Sequence, residues 1–275
     1  MMPSDTTTLR RSAVAQVFRR LVFDGWRGLL GWSIGIAAVL GLYLPLYPSL
    51  ASAQMTELIN SLPPDLVEVL GYDDIATGAG YTNATFFSLL GYVLLAIATT
   101  AWGSAFIAGA EETGRLELTL AHAVGRVQYA LESLAAMIAK ILVLSIVTFG
   151  LIWLLNEPSE LGLAAYKLLA ATICWATLGL MSGTAALAGG ALTGRRLWAI
   201  GAGAGIAVLA YILDAVGRSN ENLGWLQALS PFDWAYGNTP LTEGFDWGGL
   251  GLLWGLCVVF SALTLLGLAR RDILG

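Results

Sequence analysis

Charge is scarce in this sequence. Only 12% of its residues are Asp, Glu, Lys or Arg, against roughly 25% in an average soluble domain. A chain so poor in charge has little with which to cover a water-facing surface, and the imbalance points to a membrane protein. Histidine is scarcer still: His122 stands alone, so chemistry that pairs a nucleophile with a His base inside a membrane span has no base to use. The two cysteines, Cys174 and Cys257, fall within apolar stretches and read as small hydrophobes, not as a disulfide framework or metal site. They say nothing about redox compartment. Carboxylates are also missing from the middles of the apolar stretches, where ion-coupled transporters keep them despite their cost. Lys140, two turns into the third stretch, is placed to snorkel back to the interface, and Lys167 and Asp214 sit near span ends. Energy for any transport therefore has to come from outside this chain.

What the sequence has in plenty is apolar length. Hydrophobic residues make up 57% of its 275 positions, and runs near the roughly 20 residues that cross a bilayer occur six times. They lie near Gly28 to Tyr47, Phe86 to Ile107, Leu134 to Leu155, Leu168 to Leu192, Leu197 to Leu213 and Trp247 to Leu268. The first run follows Arg10, Arg11, Arg19, Arg20 and Arg27 and is too long for a signal-peptide core, so it is expected to stay in the mature protein. The expected fold is all-α: a polytopic bundle of six transmembrane helices in one domain over residues 1–275, without internal repeats.

Lys and Arg are retained on the cytoplasmic side of short loops. If the six helices alternate, one face collects the N-terminal arginines, Arg115 and Arg126, Arg195 and Arg196, and Arg270 and Arg271. That face, with both termini, is expected to be cytoplasmic. The other has Lys167 and Arg218 and gathers most of the acids, among them Asp65, Asp73, Glu157, Glu160, Glu243 and Asp246. The net charge of −5 is a property of that outer face and does not point to basic partners or to nucleic acid.

Before the first span, residues 9–27 place Val14, Val17, Phe18, Leu21 and Val22 on one helical face, away from Arg19, Arg20 and Asp24. This fits an amphipathic helix in the cytoplasmic interface; a plain extension of the first span is the alternative. Two outer segments are longer than a connection requires. Residues 48–81 read as a short helix, a break at Pro63 and Pro64, and a second short helix. Residues 217–246 hold Trp225, Leu226, Leu229, Phe232 and Trp234, too apolar for a free loop. This segment either packs on the bundle, shielding its backbone, or lies at the interface as an aromatic belt. Spans four and five hold Gly179, Gly183, Gly190, Gly201, Gly203 and Gly205, a spacing that allows close helix approach or a hinge.

Some motifs imitate enzyme signatures. "GGALTGRR" (189–196) has the glycine spacing of a phosphate loop but lacks its Lys and its Ser or Thr. "GAGAG" (201–205) misses a glycine of the dinucleotide fingerprint. Glu111 and Glu112 followed by Arg115 approach a glutamate-type intramembrane protease, but the Arg comes one position early and no second His exists to hold a metal.

The charged island "GAEETGRLELTLAHAVGR" (109–126), the outer "LSPFDWAYGNTPL" (229–241) and the closing "LARRDIL" (268–274) occur in order on a six-span plan. Together they resemble the permeases of the type 2 ABC exporter family, in particular drug and antibiotic exporter subunits encoded apart from their ATPases. The resemblance implies two six-span permease subunits, this chain with a copy or a relative, pairing around a central path in a cell membrane, with bacterial inner membrane expected. Two cytoplasmic ATPase subunits would bind ATP and Mg, and this chain would hold no cofactor. It also implies that residues 109–126 form the coupling helix received by the ATPase. In that role Glu111, Glu112, Arg115 and Glu117 offer charges that set register and partner choice. Leu116 and Leu120 share a helical face and offer an apolar knob. Gly114 allows a sharp turn, and Arg126 marks the return to the membrane. Phe86, Phe87, Tyr92 and Trp102 on the second span, with Trp198 and Tyr211 on the fifth, are the candidates for lining a path for a hydrophobic or amphipathic compound. Two other classes stay open: a membrane scaffold or immunity-type protein, and an intramembrane protease.

Overall fold

A computed structural model describes residues 16–50, 77–121, 124–219 and 221–271. Within them the chain is helical, with no strand, and six helices are long and apolar enough to cross a membrane. A short helix α1 (Gln16–Phe23) precedes the first span α2 (Trp26–Ser49). The second span α3 (Gly78–Phe106) leads into an elbow of two short helices, α4 (Ala108–Glu112) and α5 (Arg115–Ala121). Then come spans α6 (Arg126–Asn156), α7 (Ala165–Thr193) and α8 (Arg196–Ser219), small helices α9 (Gly224–Ala228) and α10 (Pro231–Tyr236), and the last span α11 (Trp247–Arg270).

All six expected spans are present, and most run past their apolar stretches. Helix α3 starts at Gly78, not Phe86, and α6 starts at Arg126, not Leu134. Polar residues in the added turns satisfy their own groups, so the helix need not stop there. Thr82 and Thr85 donate to Gly78 O at 2.7 Å and Tyr81 O at 2.7 Å, and Gln128 donates to Glu132 Oε1 at 2.8 Å. Between Asn83 and Leu90, α3 widens into a π-helical stretch, a local change common at functional positions.

Span α7 is the axis of the bundle: 78% of its apolar window is buried, against 17% for α2. It packs on α11, α8, α3 and α6, whereas α2 rests mainly on α6. Small residues make this possible. A side chain at Gly179 would strike Leu95, one at Gly183 would strike Met137, and one at Gly203 would meet Thr100 and Ser182 O. Of the two readings of the small-residue stretch, these contacts realise close packing; Gly201 and Gly205 face open space.

Helix α1 is separate from the first span, broken at Asp24–Gly25. It packs on α6, with Val17 buried, and Phe18 N donates to Glu132 Oε2 at 2.8 Å, capping its first turn from a neighbouring helix. Residues 9–15 of the expected interfacial helix lie outside the described residues, as do 51–76 of the first outer segment with its Pro63–Pro64 break, and His122. The second outer segment packs on the bundle at α10 and the turn after it, where Phe232, Tyr236 and Leu241 are buried, while Trp225 and Leu229 of the α9 region stay exposed.

The expectation for Lys140 needs correcting. Its ammonium is not at the surface: the residue is 2% exposed, with Nζ 5.0 Å from the Trp102 ring centre and 5.2 Å from that of Phe106. It reaches the bend at Gly25, where any Cβ would collide with it. The side chain does point towards the arginine-rich end, where Gly25 and Phe106 lie, but the bend at Gly25 closes over the ammonium before it reaches the surface.

Candidate coupling elbow and translocation groove

The island between spans two and three is a compact elbow. Ile107 ends α3, and α4 and α5 are joined through Gly114 at φ +68°, a left-handed conformation that suits glycine. Tyr129 of α6 donates to Phe106 O at 2.6 Å and so satisfies a carbonyl that the end of α3 leaves free. Arg115 Nε donates to Thr113 Oγ1 at 2.9 Å across the turn.

The elbow's charges differ in exposure and in engagement: Glu111 is half-buried, whereas Glu112 and Arg115 are exposed. Glu111 pairs with Arg271 just past α11, the two side chains being 14% and 21% exposed. Glu112 Oε1 accepts the backbone N–H of Arg196, the first residue of α8, at 2.7 Å. Arg126 Nη1 donates to Arg271 O at 2.7 Å. Two carboxylates expected to face a partner are thus engaged within the chain. Glu117 is exposed. The leucines are sorted in a similar way. Leu116, expected to form an outward knob with Leu120, is 0% exposed, and Leu120 is half-buried against the same core, whereas Leu118 is 65% exposed. The outward apolar residue of the elbow is therefore Leu118. The alternation of α5 hid this, because Leu116 turns towards the core and Leu118, two positions on, faces away from it.

A groove of 410 Å³ runs between α3 and α8. Tyr92 and Tyr211 line it, joined by Ser88, Thr100 and Ser104, with Arg196 at the end nearest the elbow. Tyr92 is held in place by donating to Ala207 O at 2.7 Å. Thr100 Oγ1 is buried without a hydrogen-bond partner among the described residues. Most span hydroxyls bond back to a carbonyl one turn earlier, as Thr99 does to Leu95 O at 2.9 Å. Sequence reasoning missed Thr100 because nothing local distinguishes it from such neighbours. A second groove of 460 Å³, between α6 and α7, has no charged residue in its lining.

The other path candidates lie elsewhere. Phe86 and Phe87 are 1% and 0% exposed and belong to a buried aromatic chain. Phe86 lies 5.9 Å from Trp175, Phe87 6.4 Å from Tyr236, and Phe232 is 5.2 Å from both Tyr236 and Tyr92. Tyr211 closes on Phe232 at 5.5 Å. Trp102 is buried under Lys140, and Trp198 faces outward at 59% exposure. Of the six candidates, the groove gathers Tyr92 and Tyr211.

Residues 25–269 match the family model described as the multidrug efflux system permease Rv1217c, C-terminal domain. The chain belongs to that family. It is a multidrug efflux permease of the type 2 ABC transporters and a multi-pass membrane protein. No curated protein matches it. The match begins at Gly25 and ends at Ala269, so it covers all six spans, the elbow and the groove, and leaves Arg271 just beyond its edge. A permease of an ABC transporter works in general with an ATPase partner.

Proposed function

We propose that this permease is the membrane subunit of an ATP-driven exporter. It pairs with a second permease chain and with two ATPase subunits that bind ATP and Mg. The arginine-rich end, with both termini, faces the cytoplasm of a bacterial inner membrane. The α3–α8 groove, apolar with sparse hydroxyls, provides one wall of the path for a hydrophobic or amphipathic compound. Closure of the ATPases on nucleotide pushes the elbow and rocks the bundle, which requires that the nucleotide states bind the permease conformations with different affinity.

The observation that carries this reading is the exposed face of α5. Glu117 and Leu118 stand outside the spans on a helix that is braced from behind, which is how a small apolar and charged projection fits a groove on a partner. The test is purification in mild detergent after expression with a candidate ABC ATPase subunit from the same source. The ATPase is expected to copurify, and Leu118→Asp is expected to reduce its recovery about tenfold or more, the scale of a central interface residue. Recovery of the permease free of any ATPase, with nucleotide present or absent, would overturn the reading in favour of a scaffold protein.

A further inference from the structure

We propose that Glu111 and Glu112 do not contact the ATPase and instead form a clamp that delivers movement of the elbow to the fifth and sixth spans. The inference rests on the coupling role given to the elbow above. Four pieces of chain meet at this point. Glu112 accepts the first N–H of α8 at 2.7 Å, Glu111 pairs with Arg271 after α11, and Arg126 at the start of α6 donates to Arg271 O at 2.7 Å. The turn between α7 and α8 supplies the space: Gly194 has φ +70°, and any side chain there would overlap Arg271 Nη1 and Glu111 Oε1.

Each contact suits transmission. A carboxylate at a helix N-terminus meets unsatisfied N–H groups and the positive end of the macrodipole. The Glu111–Arg271 pair is charge-assisted and mostly shielded from water, so salt screens it less than an exposed pair. Glu112 ends α4, which follows directly from α3. The elbow therefore grips both walls of the groove: α3 through the chain and α8 through Glu112. A displacement of the elbow moves these walls as one body, and Arg271 extends the grip to α11. Glu111 is turned inward into its ion pair; Glu112 is exposed, as Glu117 is, but its Oε1 is engaged by the first N–H of α8.

The experiment uses the full transporter, permease with ATPase, in nanodiscs. A bimane label on Leu209→Cys, an exposed position of α8 outside the groove lining, reports movement when ATP and vanadate are added. Wild-type chain is expected to give a fluorescence change. Glu112→Ala is expected to reduce that change about fivefold or more, the scale of an ordinary coupling energy, while ATPase recovery stays at the wild-type level. Glu112→Gln, which keeps the acceptor, is expected to retain most of the change. Glu111→Arg and Arg271→Glu should each lose it, and the double exchange should restore it. A merely structural role would not give that rescue.

Three results would overturn the clamp. The first is loss of the ATPase in Glu112→Ala, which places the carboxylate at the partner. The second is survival of the fluorescence change in Glu112→Ala. The third is failure of the double exchange to rescue while both single variants are recovered folded by size-exclusion chromatography. Absence of the ATPase from wild-type preparations is a different outcome, and it defeats the coupling role itself.

Discussion

The two ends of the bundle are held together by different chemistry. At the arginine-rich end the elements meet through directional polar contacts: Glu111 with Arg271, Glu112 with Arg196 N, Arg126 with Arg271 O, and Glu132 with Phe18 N. At the opposite end they meet mainly through rings, from Trp175 through Phe86, Phe87, Tyr236 and Phe232 to Tyr92 and Tyr211, with polar ties such as Tyr81 to Tyr43 O and Ser230 to Ala210 O beside them. Aromatic contacts are worth a modest amount each beyond the volume they fill, and close packing makes them hard to rearrange piecemeal. Polar clamps are fewer, depend on geometry, and can be made or broken one at a time. The contrast is what the proposed coupling role would need: one end that receives a push and another that holds together as a unit.

The sharpest way to break this comparison is at the aromatic end. Phe87→Ala removes a ring that is 0% exposed between α3 and α10. It is expected to cost about 3–5 kcal/mol through the cavity left behind, read as a large fall in the midpoint of thermal or detergent-induced unfolding. Ser230→Ala comes next. Its hydroxyl donates to Ala210 O at 2.6 Å and accepts from Phe232 N at 3.1 Å, so it caps α10 and ties it to α8. The expected loss is about 1–2 kcal/mol by the same measurement. If Ser230→Ala proved the more damaging, the outer end would be held by its polar cap and not by its rings.

At the arginine-rich end two glycines with similar backbone angles give an internal control. Gly114 has φ +68° with nothing near its missing side chain, and Gly194 has φ +70° with Arg271 and Glu111 in that space. Gly114→Ala is expected to cost about 1 kcal/mol for the left-handed backbone alone. Gly194→Ala should cost more, because it also displaces the ion pair. Unfolding midpoints measured in parallel isolate the contribution of the clamp, and equal losses would show that the pair adds nothing to stability.

The six spans were legible because apolar length is a local property. Their true ends were not, since Thr82, Thr85 and Gln128 lower hydropathy without breaking a helix that satisfies them. Glu111 and Glu112 were legible as charges in a loop between spans. Their direction was not, because the partner of Glu111 lies 160 residues away and that of Glu112 is a backbone N–H with no side-chain signature. Lys140 misled for a similar reason: snorkelling is a statement about one helix, and the bend at Gly25, from another part of the chain, closes over the ammonium. Phe86 and Phe87 read as path residues because aromatics on a span look alike in sequence whether they face a groove or a neighbouring helix. In this chain, packing of α3 against α7 and α10 decided it.

The smallest expected effect is also the one whose sign is least intuitive. Tyr236 lies in α10, outside the spans, and its hydroxyl is buried with no hydrogen-bond partner among the described residues. Burial pushes its phenol well above the ordinary value of 10.0, because the charged form would lose its hydration. A group whose folded pKa is raised contributes stability that is fully present below the unfolded value and is lost as pH climbs past it. Stability should therefore be insensitive to Tyr236 at neutral pH and fall above about pH 10. Tyr236→Phe keeps the ring contacts with Phe87 and Phe232, removes an unpaired buried donor, and is expected to be neutral or to stabilise by up to about 1 kcal/mol. It should also flatten the alkaline limb of the unfolding midpoint. A clear loss of stability at pH 7 would mean that the hydroxyl has a partner, such as a buried water, and that this contact adds to the polar ties of Ser230 and Tyr92 at the aromatic end.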